Sequence, residues 1–312
     1  MVTEKVKKSI KKYAKRAVPY GIMEKYFRKV SMNNENLTYQ KHNEIRNYFL
    51  ALNIDEQSAD VIEIINWFKE NKFSVFPYDF TRKYLTKHTD VFYDNSCEMC
   101  FVLHDGKKLY FPKGWWLEAS SLYYNVLLSE QDEQSPHRYE TENFTVKNGE
   151  IIADIGAAEG IWALTNVEKA SKIYLFECEK PWIRALQKTF EPWKEKIAIV
   201  NRYVSDVNTK NEITIDEYFR NKEIDFIKAD IEGAEVKLLE GGKEILSREN
   251  DLKLLLCAYH RKDDAVKLKE ILDANGFSTE FTKRYMIFIH DSGLEEPYIR
   301  RGLIRAKKKL YL

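Results

Sequence analysis

The sequence predicts an α/β fold, a mainly parallel sheet with helices on both faces, preceded by an N-terminal cap of helices and a hairpin. Two observations predict it. From Gly149 onward short apolar runs alternate with amphipathic stretches, the pattern that crossover helices impose on a parallel sheet. Before that point the alternation is missing, and two helical stretches lead to an Asp-Gly pair flanked by apolar runs. A chain of 312 residues can hold one large core and an accessory unit.

In chain order, residues 1–30 read as a basic amphipathic helix. Val6, Ile10, Tyr13, Ala14 and Ala17 recur at helical spacing among Lys5, Lys7, Lys8, Lys11, Lys12, Lys15 and Arg16, and Pro19 and Gly21 end the run. Residues 31–140 form the cap. Ile45, Tyr48, Phe49 and Leu52, then Val61, Ile62, Ile64, Ile65 and Phe68, mark two amphipathic helices over 43–52 and 59–72. Residues 101–103 and 108–111 flank Asp105-Gly106, a hairpin signal.

The core spans residues 141–298. Strands are expected over 151–155, 172–176, 197–201, 224–229 and 252–259, with helices over 161–168, 181–190, 214–220, 234–247 and 263–275. Gly276 and Phe277 suit a helix C-terminal turn. Residues 278–281 and 285–290 read as two further strands, and 299–312 as a basic tail.

Charge is distributed unevenly. Residues 1–30 carry ten Lys or Arg against Glu4 and Glu24, and residues 299–312 carry six against none, although the whole chain is at +1. The body between is therefore acidic, which disfavours nucleic acid as a partner. A basic amphipathic end suits either an anionic membrane surface or packing on the acidic body. No stretch approaches the roughly 18 apolar residues of a membrane span, and the N-terminus lacks an apolar leader core. The expected location is the cytoplasm, with peripheral membrane contact open. Four cysteines agree with a reducing compartment. Cys97 and Cys100, lacking a second ligand pair, read as free thiols in a packed loop and not as a zinc site.

The segment IIADIGAAEGIWALTNVEKASKIYLFECE, residues 151–179, reads as strand, glycine-hinged turn, helix and second strand ending in Glu177. Dinucleotide sites use G-x-G-x-x-G around a pyrophosphate, whereas here Asp154-x-Gly156-x-x-x-Gly160 encloses Glu159. An acid at that turn repels a pyrophosphate and suits a cofactor with a cationic amino-acid end, as in S-adenosylmethionine. Asp154, Gly156, Ala157, Glu159 and Gly160 are the expected cofactor contacts, with Glu177 placed to accept from ribose hydroxyls.

The segment IDFIKADIEGAEVKLLEGG, residues 224–242, resembles the signature of FkbM-type S-adenosylmethionine-dependent methyltransferases. The resemblance covers about residues 130–290 and includes DIGAAEG, FECE, Ser205-Asp206 before TIDEYF, KADIEGAE and a strand ending in Tyr259-His260. Ala229 and Cys178 depart from it, where a larger aliphatic residue and proline are common. It implies a class I, Rossmann-like methyltransferase fold with one antiparallel strand near the end, and O-methylation of a sugar hydroxyl in a surface polysaccharide or glycan. The basic termini suit an acceptor held on a lipid carrier at a membrane. A soluble secondary metabolite, or a scaffold that no longer transfers methyl groups, are the competing readings.

A sugar hydroxyl is a poor nucleophile, so a base or a metal is expected beside it. Asp230, Glu232 and His260 follow strand ends over the expected pocket, and they can act as base and orienting partner or as ligands to a divalent metal. Asp230 and Asp206 are also candidate cofactor contacts. His137, Arg138 and Tyr139, before the first core strand, are candidate contacts to the substrate or the methionine carboxylate, and Lys228, inside an apolar strand, suits a substrate contact and an ion pair with Glu235 or a helix end equally.

Overall fold

A computed structural model describes residues 40–248, 250–289, 291 and 294–308. The basic helix expected over residues 1–30 lies outside the described residues. The chain divides into two compact units, one ending at Tyr78 and taking in Leu294–Tyr298, the other running from Asp79 and taking in the chain from Ile299.

In the first unit, helices over 40–51 and Ala59–Glu70 bury the apolar stripes read from the sequence. Ile45, Phe49, Ile64 and Phe68 are at most 1 % exposed, and the Phe49 and Phe68 rings stack at 5.5 Å. Arg46 Nε donates to the Phe68 carbonyl at 2.9 Å. The second helix stops where Asn71 turns extended and its side chain donates to the Trp67 carbonyl.

The second unit begins with a three-stranded antiparallel sheet, β1 (Phe92–Asp94), β2 (Met99–His104) and β3 (Lys107–Tyr110). The expected hairpin is β2–β3. Asp105 and Gly106 turn it with φ of +48° and +77°, the left-handed pair that a two-residue hairpin loop requires. β1 and the helix Leu117–Glu130 were not expected. No division falls at residue 140, because this cap sheet belongs to the unit that holds the core. The Tyr110 amide donates to Thr189 Oγ1 at 3.0 Å, and His104 Nε2 lies 2.9 Å from Thr165 Oγ1.

The main sheet has seven strands: β4 (Ile151–Ile155), β5 (Lys172–Phe176), β6 (Ile197–Val200), β9 (Phe226–Ala229), β10 (Lys253–Cys257), β11 (Phe277–Phe281) and β12 (Leu303–Lys308). β7 (Tyr203–Val204) and β8 (Glu212–Ile213) pair separately in parallel. The order is β11-β12-β10-β9-β4-β5-β6. β4, β5, β6, β9 and β10 are parallel, and β12 runs antiparallel between β10 and β11. This is the mainly parallel sheet with one antiparallel strand near the end that the sequence predicted. Ile227, Leu238, Leu254, Leu256, Leu268 and Ile304, all completely buried, belong to one hydrophobic cluster that joins the sheet to its helices.

Three elements differ from expectation. Of the strand expected over 285–290, the described residues 285–289 supply an isolated bridge, Met286 to Arg300, and the antiparallel strand is β12, from the segment read as a tail. The helix expected over 234–247 is broken into Glu235–Glu240 and Lys243–Ser247. At the break a Cβ on Gly241 would sit 2.3 Å from the Ser205 carbonyl oxygen, so the chain bends where it packs against that loop. Cys97, Cys100, Cys178 and Cys257 are free thiols. Among the described residues no helix is long and apolar enough to cross a membrane.

Candidate functional site

β4 and β9 are neighbours at the centre of the sheet, and the chain proceeds outward in opposite directions from them, to β5 and β6 and to β10. In an open α/β sheet the crevice beyond the carboxyl ends of such strands is where ligands bind. Asp154 and Gly156 end one strand and Asp230 follows the other.

Gly156 is needed there for a reason other than ligand approach. Its φ is +75°, and a Cβ would stand 2.0 Å from the Asp230 carbonyl oxygen. The two segments touch backbone to backbone, the Asp230 amide donating to the Ile155 carbonyl at 3.0 Å, and the Gly156 and Ala157 amides donate to the Phe176 carbonyl of β5 at 3.0 and 3.1 Å. Gly160, at φ +78°, leaves room for Leu186 and Phe190, the nearest atom 2.7 Å from where its Cβ would be.

Asp154 is paired directly across the parallel register with Lys228. Lys228 Nζ lies 2.8 Å from Asp154 Oδ1, with side chains 5 % and 1 % exposed. Burial alone would depress the lysine pKa, but the Asp154 and Asp230 carboxylates outweigh it and hold the ammonium above its usual value. The two side chains are therefore paired with each other under the crevice floor. The ammonium also lies 5.1 Å from the Tyr139 ring centre.

Glu177 follows the end of β5, and Glu159 lies in the turn after β4. Glu177 accepts from the Ala158 amide at 2.9 Å and from the Glu179 amide at 2.6 Å, which fixes its orientation at the end of β5. Burial raises its pKa. Glu159 accepts from Tyr123 Oη at 2.9 Å, and burial lifts it to about 7. Glu130 is lifted to about 8 by burial and by the charges of Asp230 and Glu159. Asp206, at the far side, accepts from Ser205 Oγ at 3.0 Å and lies 3.8 Å from Lys237 Nζ.

Asp230 is the hub of the site. Tyr259 Oη donates to its Oδ1 at 3.3 Å and Tyr139 Oη to its Oδ2 at 3.4 Å. His260 Nε2 lies 3.4 Å from Oδ1 and His137 Nε2 3.8 Å from Oδ2. Burial would raise Asp230, yet His260, Lys228 and His137 draw it down to about 2. His260 is opposite in sense. Its burial favours the neutral ring, but Glu235, Asp230 and Glu232 lift it to about 9. His137 is buried and pushed down to about 4, chiefly by desolvation. A neutral His137 donating through Nε2 to Tyr259 Oη at 3.0 Å leaves that hydroxyl to donate to Asp230.

Of the expected residues, Asp230, His260, His137 and Tyr139 converge. Arg138 turns away, with Nε donating to the Glu140 carbonyl at 2.8 Å. Glu232 is exposed, at φ +57°, and the acid that packs on His260 is Glu235, whose Oε1 is 2.9 Å from Nδ1. Glu235, Tyr259, Tyr123 and Glu130 were not expected in the site. For Tyr259 and Glu235 the signal was proximity in sequence to His260 and Asp230; Glu130 and Tyr123 sit in an unexpected helix and offered none. A cavity of about 350 Å³ shares Tyr139 with this site but is otherwise lined by residues such as His104, Arg138, Glu140 and Trp162.

Residues 189–279 match the family model described as the methyltransferase FkbM domain. The matched segment begins at the end of the helix Lys180–Thr189 and runs into β11, so the FkbM match holds Asp230, Glu232, Glu235 and His260, while the turn after β4 precedes it. No curated protein matches the chain. Among solved structures, an FkbM methyltransferase from Methylobacillus flagellatus KT is 18 % identical, with 59 % of this chain and 52 % of that one covered and a TM-score of 0.42. The chain thus spans about half the length of that protein. A precorrin-6y C5,15-methyltransferase from Geobacter metallireducens GS-15 is 15 % identical over 61 % of this chain and 89 % of that one, at 0.36. A tRNA m1G37 methyltransferase from M. jannaschii is 13 % identical over 68 % and 57 %, at 0.39.

Proposed function

We propose that this chain is an S-adenosylmethionine-dependent methyltransferase that methylates a hydroxyl, and that its acceptor is a sugar of a surface polysaccharide or glycan. One observation carries the reading: carboxylates of Glu159, Glu177 and Asp230 border the crevice at the switch point, while Lys228, the cation among them, is held by Asp154. Such a donor set fits a cofactor with ammonium and sulfonium charges. Glu177 would hold the ribose, and Glu159 would face the cationic end.

When bound, S-adenosylmethionine supplies a methyl group on a positively charged sulfur. The chain's own task is to bring the acceptor oxygen into line and to accommodate its proton. Asp230 is the ionised group open to the crevice, its side chain 24 % exposed. Oδ2, on the side of Tyr139 and His137, is the atom that accepts from the acceptor hydroxyl. His260 lies beside it, Nε2 3.4 Å from Oδ1.

The sugar acceptor is supported by the family resemblance, and a carrier-linked form by the basic ends of the sequence. Calorimetric titration with S-adenosylhomocysteine tests the cofactor: the parent should bind at micromolar concentration and Glu177→Ala at least about tenfold more weakly. Absence of binding by the parent removes the enzyme reading. Methyl transfer to free against carrier-linked sugars then tests the acceptor, and transfer only to soluble metabolites overturns it. Sedimentation with anionic vesicles tests the membrane contact, which fails if the full chain and one beginning at residue 31 bind equally weakly.

A further inference from the structure

Asp230, Glu235 and His260 come from three different places, the end of β9, the first turn of the following helix and the end of β10. Each offers one ligand atom, and these atoms all lie within 4.8 Å of one another. Glu235 is completely buried and His260 is 3 % exposed. Proximity of acids alone would mean little on a surface. Here, however, Glu235 Oε2 and both ring nitrogens of His260 are buried and make no aligned hydrogen bond. The ring nitrogens face carboxylate oxygens at 2.9 and 3.4 Å, close enough for electrostatic attraction but off the directions that hydrogen bonds need. Buried polar atoms left in this state are costly, and ligands arranged around a shared cation have this appearance.

We propose that Asp230, Glu235 and His260 form a binding site for a divalent cation at the carboxyl edge of the sheet. Two carboxylates across one imidazole call for positive charge between them, and a divalent ion that displaces the ring proton supplies it. The mixed oxygen and nitrogen set suits Mn²⁺ or Zn²⁺ rather than a soft ion. Glu235 is oriented for the task by the Ile231 amide, which donates to its Oε1 at 2.9 Å, the kind of outer contact that fixes a ligand. Asp230 faces the crevice, so coordination positions on that side remain for water or an acceptor hydroxyl. There the cation would polarise the hydroxyl while Asp230 Oδ2 takes its proton. This use rests on the methyltransferase reading; the binding of the cation does not. The ligand set differs from the sequence expectation by one residue, Glu235 in place of Glu232.

The test is titration of the chelator-treated full chain with Mn²⁺, followed by the electron paramagnetic resonance of free ion, and with Zn²⁺ by calorimetry. One equivalent is expected, with at least tenfold weaker binding in Glu235→Gln and His260→Gln and unchanged binding in Glu232→Gln. Thermal melts establish that each variant folds, and Asp230→Asn, whose side chain opens to the crevice, replaces either that does not. No saturable binding by the parent, or loss in Glu232→Gln with Glu235→Gln unaffected, overturns the site. S-adenosylhomocysteine binding is measured on the same samples. A parent that binds it but no cation keeps the methyltransferase reading and removes the site, and the reverse result removes that reading and keeps the site.

Discussion

Asp154 and Lys228 face each other in register on adjacent parallel strands and form an ion pair at 2.8 Å in the centre of the sheet. The pair ties the strand that leads to the glycine turn to the strand that leads to Asp230. Removing one partner leaves an uncompensated buried charge, so Lys228→Met should cost about 3–5 kcal/mol. Asp154→Asn added to it should cost less than the two changes singly, because the orphaned carboxylate is then gone. Urea unfolding of the four proteins in the cycle measures this, and strict additivity would show that the pair is not coupled.

Gly156 and Gly149 provide a matched comparison. Both have positive φ, +75° and +86°, but a Cβ at Gly149 meets nothing within 4 Å, whereas at Gly156 it would collide with the Asp230 carbonyl oxygen. Gly149→Ala should cost about 1 kcal/mol from backbone conformation alone. Gly156→Ala must in addition push Asp230 away, so it should cost more than about 2 kcal/mol and weaken binding of S-adenosylhomocysteine. Equal melting temperatures for the two variants would contradict the contact.

Glu159 is lifted to about 7 by burial. A carboxyl with a raised pKa is neutral below that pH and ionised above it, and a cationic ligand binds the ionised form better. The affinity for S-adenosylmethionine should therefore increase from pH 6 to pH 8 and level off above, and that for S-adenosylhomocysteine, which keeps the ammonium, should increase as well. Glu159→Gln should flatten both profiles. Calorimetry across the range decides, and a parent profile already flat would separate Glu159 from the cofactor.

The parallel strands were legible because residues buried on both faces of a sheet are mostly apolar, as in Ile151–Ile155 and Lys253–Cys257 apart from Asp154 and Lys253. β12 was not, because its sequence is LIRAKK and its cations imitate a tail. In the fold Arg305 is 7 % exposed and donates to the Tyr139 and Arg138 carbonyls at 3.2 and 2.6 Å. Lys308 donates to the Leu246 and Asn275 carbonyls. Charges satisfied by backbone carbonyls from distant segments leave no periodic signal. The same limit applies to the site. Asp230 and His260 are marked by strand ends, but Glu235 reads as an ordinary first-turn helical acid until His260 is placed against it, and the pairing of Asp154 with Lys228 shows only once β4 and β9 stand in register.

Glu140 shows the same kind of hidden partnership and yields a further test. It lies in the connection before β4, and its Oε1 accepts from Trp162 Nε1 at 2.6 Å and from Asn166 Nδ2, while Oε2 accepts from Thr145 Oγ1. Trp162 is 4 % exposed and Asn166 completely buried, so water cannot readily replace the carboxylate. Glu140→Ala should orphan both donors and cost about 2–4 kcal/mol. Glu140→Gln keeps one carbonyl oxygen for one pair of donors and should recover at least half of that loss. Because Trp162 and Asn166 flank the short helix after the glycine turn, Glu140→Ala should also disturb Glu159 and weaken binding of S-adenosylhomocysteine, whereas Glu140→Gln should bind nearly as the parent does. Urea unfolding followed by tryptophan fluorescence, with calorimetry on the same samples, separates the outcomes. A stable Glu140→Ala variant would mean that the two donors find other partners.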